Sequence, residues 1–292
     1  MPMKQYAGLL ALTLTLGLSL AACGDDDDGG SPIVDAATAD VIPVEHDAAI
    51  PDAGPPPPDA TPAPDAHPAN LDCPAADAGA VDEVPDPLVI KGTASSRGIS
   101  GSAPVVGGTV QARLLSDDSV VASAETDAQG KFTLNITGGM AVPGYIHAEG
   151  EGLAGSNVFT HAPVTQSFNG LPITMFDANL IPLLGQFAGT QVVRGDGVAI
   201  LQLEDCDGER VEGATVTVSG ASADTRVVYG AAGNTLPDPS LTQTSADGTV
   251  WLVNLPPGDH VVQGHYGAFP ATTLQQSIRI RADEVSLGIV SP

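Results

Sequence analysis

Basic residues are scarce in this chain. Its 292 residues include 10 Lys and Arg against 35 Asp and Glu, which gives a formal net charge of −25. Between Gly24 and Pro87 the sequence has 16 acidic residues and no Lys or Arg, so the acidity belongs largely to one segment. Because binding to nucleic acid needs clustered Lys and Arg, the composition argues against a nucleic-acid partner.

Aromatic and charged residues are also few, at 4% and 15%, whereas glycine and proline are abundant at 34 and 25 residues. This balance is typical of β-strands joined by Gly/Pro turns rather than of helices. The sequence also lacks the HExxH, GxSxG, Walker and CxxC motifs. We therefore expect an all-β protein that is not an enzyme and uses no cofactor. The alternative is an envelope glycoside hydrolase, or another hydrolase, with two carboxylates about 5 to 9 Å apart.

The amino-terminal segment combines one basic residue, Lys4, with an apolar stretch from Ala7 to Leu20. This stretch has the length of a signal-peptide core and is shorter than the ~20 apolar residues of a membrane span. Residues 1–22 are therefore expected to be a signal peptide.

The tetrapeptide Leu20-Ala21-Ala22-Cys23 follows and resembles the lipobox of bacterial lipoproteins. The resemblance implies cleavage between Ala22 and Cys23 and a diacylglycerol thioether on Cys23, with two or three acyl chains anchoring the protein stably. An Asp directly after the cysteine favours inner-membrane retention in such proteins. Gly24 occupies that place here, so we expect a lipid anchor in the outer rather than the inner membrane.

The next segment, residues 23–87, consists mainly of Asp, Ala, Pro and Gly. Such a segment cannot bury enough apolar surface to offset its chain entropy, so it is predicted to be a disordered tether. As a flexible coil it spans roughly 45 Å, and as polyproline II ~200 Å. The acidic run Asp25–Asp28 is interpreted as a solvated charge block rather than a cation site.

An internal repeat begins at Leu88. Gly107-Gly108-Thr109-Val110 matches Gly213-Ala214-Thr215-Val216, and the turn glycine Gly130 matches Gly248. Alternating apolar runs between Gly-containing turns indicate antiparallel sandwiches. We predict two tandem antiparallel β-sandwich domains, residues 88–176 and 191–292, joined by residues 177–190. A short helix is predicted over Ala178–Ala188, because Asp177 or Asn179 can cap it and one helical face would carry Leu180, Ile181, Leu184 and Phe187.

The second copy resembles the carboxypeptidase regulatory-like domain over Gly197 to Tyr266, and the first copy resembles it less well. The matching residues are Asp205, Gly208, Val211, Gly213, Ala214, Val216, Val218, Asp247, Gly248, Leu252, Asn254, Leu255, Pro256, Pro257, Gly258, His260 and Val262. The resemblance implies a transthyretin-like or Ig-like β-sandwich and a non-catalytic accessory role. It makes a glycan a candidate partner, beside an envelope protein.

Two cysteines remain once Cys23 is assigned to lipid. An exported chain with two thiols is a candidate for one disulfide, here Cys73–Cys206, and the alternative is two free thiols.

Ligand contacts are expected near the long loop Ala221–Leu241, because sandwiches carry variable function on their loops. We assign Tyr229, Asn234 and Tyr266 as candidate contact residues. Trp251 is expected in the core, although its ring, like that of Phe269, could stack on a sugar.

No metal site is predicted. His147, Glu149 and Glu151 alternate on one strand face and could hold a cation, but exposed strand faces are commonly polar. His260 and His265 point to opposite faces and are expected at the surface or at a strand edge. Asp205 begins a fragment of a calcium loop, which is more simply interpreted as a turn.

Overall fold

The computed structural model describes residues 69–71, 73, 83–99, 101–233, 236–267 and 274–292. These residues belong to one compact unit. The expected signal peptide, the lipobox with Cys23, and most of the tether lie outside the described ranges. Within them, no helix has the length and apolar character needed to cross a membrane.

Strands dominate the described residues, with one short α-helix. In chain order they are β1 (Leu88–Gly98), β2 (Gly101–Pro104), β3 (Thr109–Leu114), β4 (Val120–Glu125), β5 (Lys131–Ile136), β6 (Gly144–Glu149), β7 (Leu153–Ala154), β8 (Ser156–Phe159), β9 (Phe168–Asp177), α1 (Ile181–Phe187), β10 (Gly197–Leu203), β11 (Ala214–Val218), β12 (Arg226–Gly230), β13 (Pro237–Asp238), β14 (Thr249–Leu255), β15 (Gly258–Tyr266), β16 (Leu274–Ile280) and β17 (Val285–Val290). The all-β expectation is therefore confirmed.

Three strand pairings recur in the N-terminal repeat, β1 to β9, and in the C-terminal repeat, β10 to β17. The first strand pairs antiparallel with one partner, β1 with β5 and β10 with β14. It pairs parallel with the last strand, β1 with β9 and β10 with β17. The third recurring pairing is antiparallel and joins β3 with β6 and β11 with β15.

One sheet runs through both repeats. Its order is β13-β12-β14-β10-β17-β8-β6-β3-β4, and the junction is a parallel pairing of β17 with β8 in which Ser286 lies opposite Asn157. The prediction of antiparallel sheets is therefore corrected for three parallel pairs, β1–β9, β10–β17 and β8–β17. In each repeat the last strand returns beside the first after a long connection, and this connection permits parallel pairing.

The predicted repeat is visible in its hydrogen bonds. Thr126 Oγ1 accepts from the Gly108 amide at 2.8 Å, and Thr244 Oγ1 accepts from the Ala214 amide at 2.9 Å. Gly130, with φ +73°, occupies the turn that Gly248 occupies in the second copy. The residues matched between the two segments thus make equivalent backbone contacts.

The sheet that runs through both repeats separates two apolar cores, because alternate residues of a strand point to opposite faces. On β10, Val198 and Ile200 pack into one core, and Ala199 and Leu201 into the other. Every residue of this strand is buried, and its sequence is correspondingly a nearly continuous apolar run.

The predicted linking helix is present. A 3-10 turn at Ala178–Leu180 leads into α1, and the Asp177 carboxylate caps the turn by accepting from the Asn179 amide at 2.8 Å. Leu184 is 4% exposed and packs into the first core. The apolar spacing thus predicted both the position of the helix and its buried face.

Candidate functional site

An ionic network joins the two repeats around Asp118, in the turn between β3 and β4. The Tyr145 hydroxyl and the Arg281 guanidinium both donate to its carboxylate, and Arg113 lies 3.4 Å away. Arg279 reaches Asp118 at 3.9 Å. Asp118 therefore interacts with side chains of both the N-terminal and the C-terminal repeat.

Charge pairing controls the ionisation of this network. Partial burial alone would raise the pKa of the Asp118 carboxyl, but the hydrogen bond from Tyr145 and the charges of Arg281 and Arg113 hold it below its ordinary value. Burial, and then the hydrogen bond to Asp118, raise the pKa of the Tyr145 phenol. The aspartate is thus held as a carboxylate and the tyrosine as a hydrogen-bond donor.

A buried histidine lies close to this network. His147 on β6 is 1% exposed; its Nε2 is 2.8 Å from Glu149 Oε1, and its Nδ1 is 3.6 Å from Glu284 Oε2. The hydrogen bond to His147 lowers the pKa of Glu149. Glu151, the third residue considered from the sequence, is exposed in the turn after β6. Glu284 instead completes the group of possible metal ligands with His147 and Glu149.

An open groove of about 440 Å³ lies beside the end of β8 and the start of β16. Its lining is Leu115, Ser116, Pro143, Gly144, Phe159, Thr160, His161, Ala162, Pro163, Gln275, Gln276 and Ser277. None of these residues is Asp or Glu. The groove therefore offers amide, hydroxyl and imidazole groups between apolar walls, and it lacks the pair of carboxylates that a glycoside hydrolase uses.

His161 is the ionisable group of this groove. The Ser291 hydroxyl lies 2.7 Å from its Nδ1, and partial burial lowers the pKa of the imidazole. The histidine is thereby favoured in its neutral form, which can both donate and accept a hydrogen bond.

The structure corrects one of the predicted contact residues. Tyr229 is 6% exposed, and its hydroxyl accepts from the Val216 amide at 3.0 Å. This burial contradicts its assignment to a contact surface, because the ring fills the second core. Tyr266 is half-buried at the end of β15, while Asn234 lies outside the described residues.

The core prediction for Trp251 is confirmed, since it is 0% exposed. Phe269 lies outside the described residues. The expectation that His260 lies at a surface or edge is wrong, because this side chain is 5% exposed. Its ring nitrogens lie 2.6 Å and 2.8 Å from the carbonyl oxygens of Ser219 and Pro256, so it joins two turns.

The predicted disulfide is present between Cys73 and Cys206. The chain just before it is also attached: Leu71 is 8% exposed in the second core, and the Asn70 amide donates to Asp205 at 3.0 Å. We call residues 69–71 and 73 the strap. The sequence assigns the strap to the disordered tether, and these contacts correct that assignment for its described residues.

The strap contacts a turn that the Asp205 carboxylate stabilises. The Asp205 carboxylate accepts from the backbone amides of Asp207 and Glu209, each at 2.9 Å, as well as from Asn70. Backbone donors thus occupy this carboxylate, which agrees with the interpretation of a turn rather than a calcium loop.

No protein-family model matches the sequence, and no curated protein matches it either. Among solved structures, the TIE protein of Bacillus anthracis is 11% identical, with 70% of this chain and 34% of that chain covered and a TM-score of 0.22. This chain therefore spans about a third of that protein. The minor pilin of Streptococcus agalactiae is 12% identical, with 70% and 94% covered and a TM-score of 0.24. The major pilin subunit of Bacillus cereus is 9% identical, with 70% and 98% covered and a TM-score of 0.21. These scores are too low to support an argument about function.

Proposed function

We propose that this protein is a non-catalytic lipoprotein of the bacterial cell envelope. In this proposal residues 1–22 are removed, Cys23 carries the lipid, and the acidic Pro-rich segment spaces the folded unit from the membrane. The lipobox and the composition of the tether support the anchor. Gly24 after the cysteine supports the outer membrane over the inner membrane.

We further propose that the two repeats are two β-sandwich domains with transthyretin-like folds. The support is their shared pairing scheme, in which the first strand lies between an antiparallel partner and the parallel last strand. The matched Thr126 and Thr244 contacts add to this support.

The attachment of the strap is the main observation behind the proposal that this protein is held at a surface while it binds a ligand. The chain that arrives from the lipobox is bonded covalently to the C-terminal repeat at Cys206, before it continues to β1 of the N-terminal repeat. A pull on the tether therefore reaches the folded unit through a disulfide and does not first separate β1 from β5. This attachment suits a protein that is held at a surface while it is bound to something else.

The groove is the proposed binding surface, and a glycan is the proposed ligand class. Amide and hydroxyl side chains such as Gln275 and Ser277 can hydrogen-bond sugar hydroxyls, and apolar residues such as Leu115 and Pro163 can cover the faces of sugar rings. The acidic excess of the chain disfavours strongly anionic ligands.

The test is a binding screen of the purified full-length chain against polysaccharides and peptidoglycan. The double variant Gln275→Ala/His161→Ala should weaken binding by about tenfold or more, because two hydrogen-bonding groups are lost. The variant Gln186→Ala, on the exposed surface of α1, is the matched control and should bind like the wild type. A negative screen across all these polymers would refute the glycan and leave a protein partner.

A further inference from the structure

The His147 cluster lies where the two repeats meet. We define it as His147 and Glu149 on β6, Asn157 on β8, and Glu284 directly before β17. One ligand atom from each of His147, Glu149 and Glu284 lies within 4.8 Å of the other two. These side chains come from both repeats, so a ligand that binds all of them also connects the repeats.

The position of one proton follows from the hydrogen bonds. The Asn157 side-chain nitrogen donates to Glu284 Oε2 at 2.9 Å. The amide oxygen of Asn157 must therefore face His147 Nδ1, which lies 2.9 Å away. Because that oxygen can only accept, Nδ1 carries a hydrogen and donates it.

The second ring nitrogen also faces an acceptor. Nε2 of His147 lies 2.8 Å from the Glu149 carboxylate, in a ring that is 1% exposed. A lone pair on Nε2 would repel this carboxylate. Nε2 therefore faces a carboxylate oxygen at a position where a metal ion can be shared between the two groups.

We propose that the His147 cluster binds a divalent transition-metal ion, with Zn²⁺ as the best match, through His147 Nε2 and the Glu149 carboxylate. Glu284, whose Oε2 lies 3.6 Å from Nδ1, would shift its carboxylate towards the ion to complete the set of ligands. Two carboxylates and a neutral imidazole balance a charge of +2. Zn²⁺ takes nitrogen and oxygen ligands of this kind, whereas Ca²⁺ and Mg²⁺ prefer oxygen alone. The hydrogen bond from Nδ1 to Asn157 is the support that orients metal-binding histidines.

The arrangement also allows access and adjustment. The Glu149 side chain is 61% exposed, so an ion can enter from that side and the carboxylate can move outward to admit it. The Glu284 side chain is 16% exposed and is held by Asn157. Arg281 is directed at Asp118, which reduces its opposition to an incoming ion.

Metal binding would then couple to stability. An ion held by both repeats binds the folded chain and not the unfolded one, so saturating Zn²⁺ should raise the melting temperature by about 5 °C or more. Glu151→Gln should leave this shift unchanged, because Glu151 is exposed in the turn beyond the cluster. It serves as the matched carboxylate control.

The experiment titrates ZnCl2 into the metal-free full-length chain, purified without a polyhistidine tag, and follows calorimetry and melting temperature. The expected result is one Zn²⁺ per chain, bound about tenfold or more weakly by His147→Gln and by Glu149→Gln. Because Glu149 is exposed, its variant should fold even where His147→Gln does not. Substitution by Co²⁺ should give visible absorption bands that Glu149→Gln alters and Glu151→Gln does not.

Three results would overturn the proposal. The first is the absence of saturable Zn²⁺ binding by the wild type, which would mean that Nε2 carries a second proton and the cluster is purely ionic. The second is Zn²⁺ binding that neither variant of the cluster weakens. The third is equal affinity for Ca²⁺ and Zn²⁺, which would exclude the imidazole as a ligand.

Discussion

Replacing Asp118 by Asn should weaken the connection between the repeats without disturbing the local backbone. Asp118 has a φ of +62°, and Asn tolerates this left-handed conformation as well as Asp does. The substitution removes the negative charge that pairs with Arg113 and Arg281. The substitution therefore tests the effect of the negative charge on stability while the backbone conformation of the turn is retained.

The expected loss in the free energy of unfolding is estimated from the charged hydrogen bonds of Asp118. A hydrogen bond to a charged group contributes about 1.5–3 kcal/mol, but the Asp118 side chain is 30% exposed, so solvent screening lowers the effect. We expect a loss of about 1–2 kcal/mol at pH 7. For a chain of this size that corresponds to a fall in melting temperature of about 3–6 °C.

The pH dependence has a definite sign. Because the folded pKa of Asp118 lies below its ordinary value, its contribution is fully present above the unfolded pKa of about 3.9. It is lost as the pH falls through the folded pKa, when both wild type and variant are uncharged at this position. The stability difference should thus be constant from about pH 8 to about pH 6 and disappear at low pH.

Urea unfolding followed by fluorescence measures this difference, since the sole tryptophan, Trp251, is fully buried. Glu125→Gln, which removes an exposed carboxylate on β4, is the control and should change stability by less than about 0.5 kcal/mol. The reasoning is refuted if Asp118→Asn behaves like this control at pH 7. It is equally refuted if the full difference persists at the lowest pH at which the chain still folds.

Four further variants test the fold. Gly130→Ala should cost about 2 kcal/mol or more in the unfolding free energy, because φ is +73° and a Cβ would lie 2.3 Å from a carbonyl oxygen of β1. Gly152→Ala has the same φ with nothing within 4 Å, so it should cost about 1 kcal/mol, and equal losses in urea unfolding would contradict the steric argument. Thr244→Val should cost about 2–3 kcal/mol, because it leaves one buried amide and one carbonyl unpaired; a loss below about 0.5 kcal/mol in the same assay would exclude this role. The double variant Cys73→Ser/Cys206→Ser opens a link across 133 residues and should cost about 5 kcal/mol at most. Wild type reduced with dithiothreitol should show the same shift in urea midpoint, and an unchanged midpoint would show that the link does not stabilise the fold.

Local signals in the sequence predicted the features that depend on local chemistry. Gly130 and Gly248 mark turns that need positive φ, and the helix over Ala178–Ala188 follows from its cap and its apolar spacing. The disulfide was predicted because assigning Cys23 to lipid leaves Cys73 and Cys206 as the two thiols that can pair. Composition alone favoured β-structure.

Long-range contacts were not predictable in this way. Glu284 is separated from Asn157 by 127 residues, and no spacing rule links them until β8 and β17 are known to pair. Glu151 was considered instead because strand alternation identifies only neighbours on the same strand. Asp118 and its arginines were missed for the same reason.

The burial of individual polar side chains could not be predicted from the sequence either. Tyr229 lies in a segment whose composition is typical of a surface loop, yet its ring fills the second core and its hydroxyl bonds to β11. His260 lies between two carbonyl oxygens that come from separate turns. In both cases the deciding partner is brought in by the fold.

The proposed lipid anchor is tested most directly by the mass of the amino-terminal peptide of the protein purified from bacterial membranes. The account predicts that the mature chain begins at Cys23 and that this residue carries a diacylglyceryl group. It also predicts that Cys23→Ser abolishes both the added mass and membrane association. A mature chain that begins at any other residue, or an unmodified Cys23, would contradict the account.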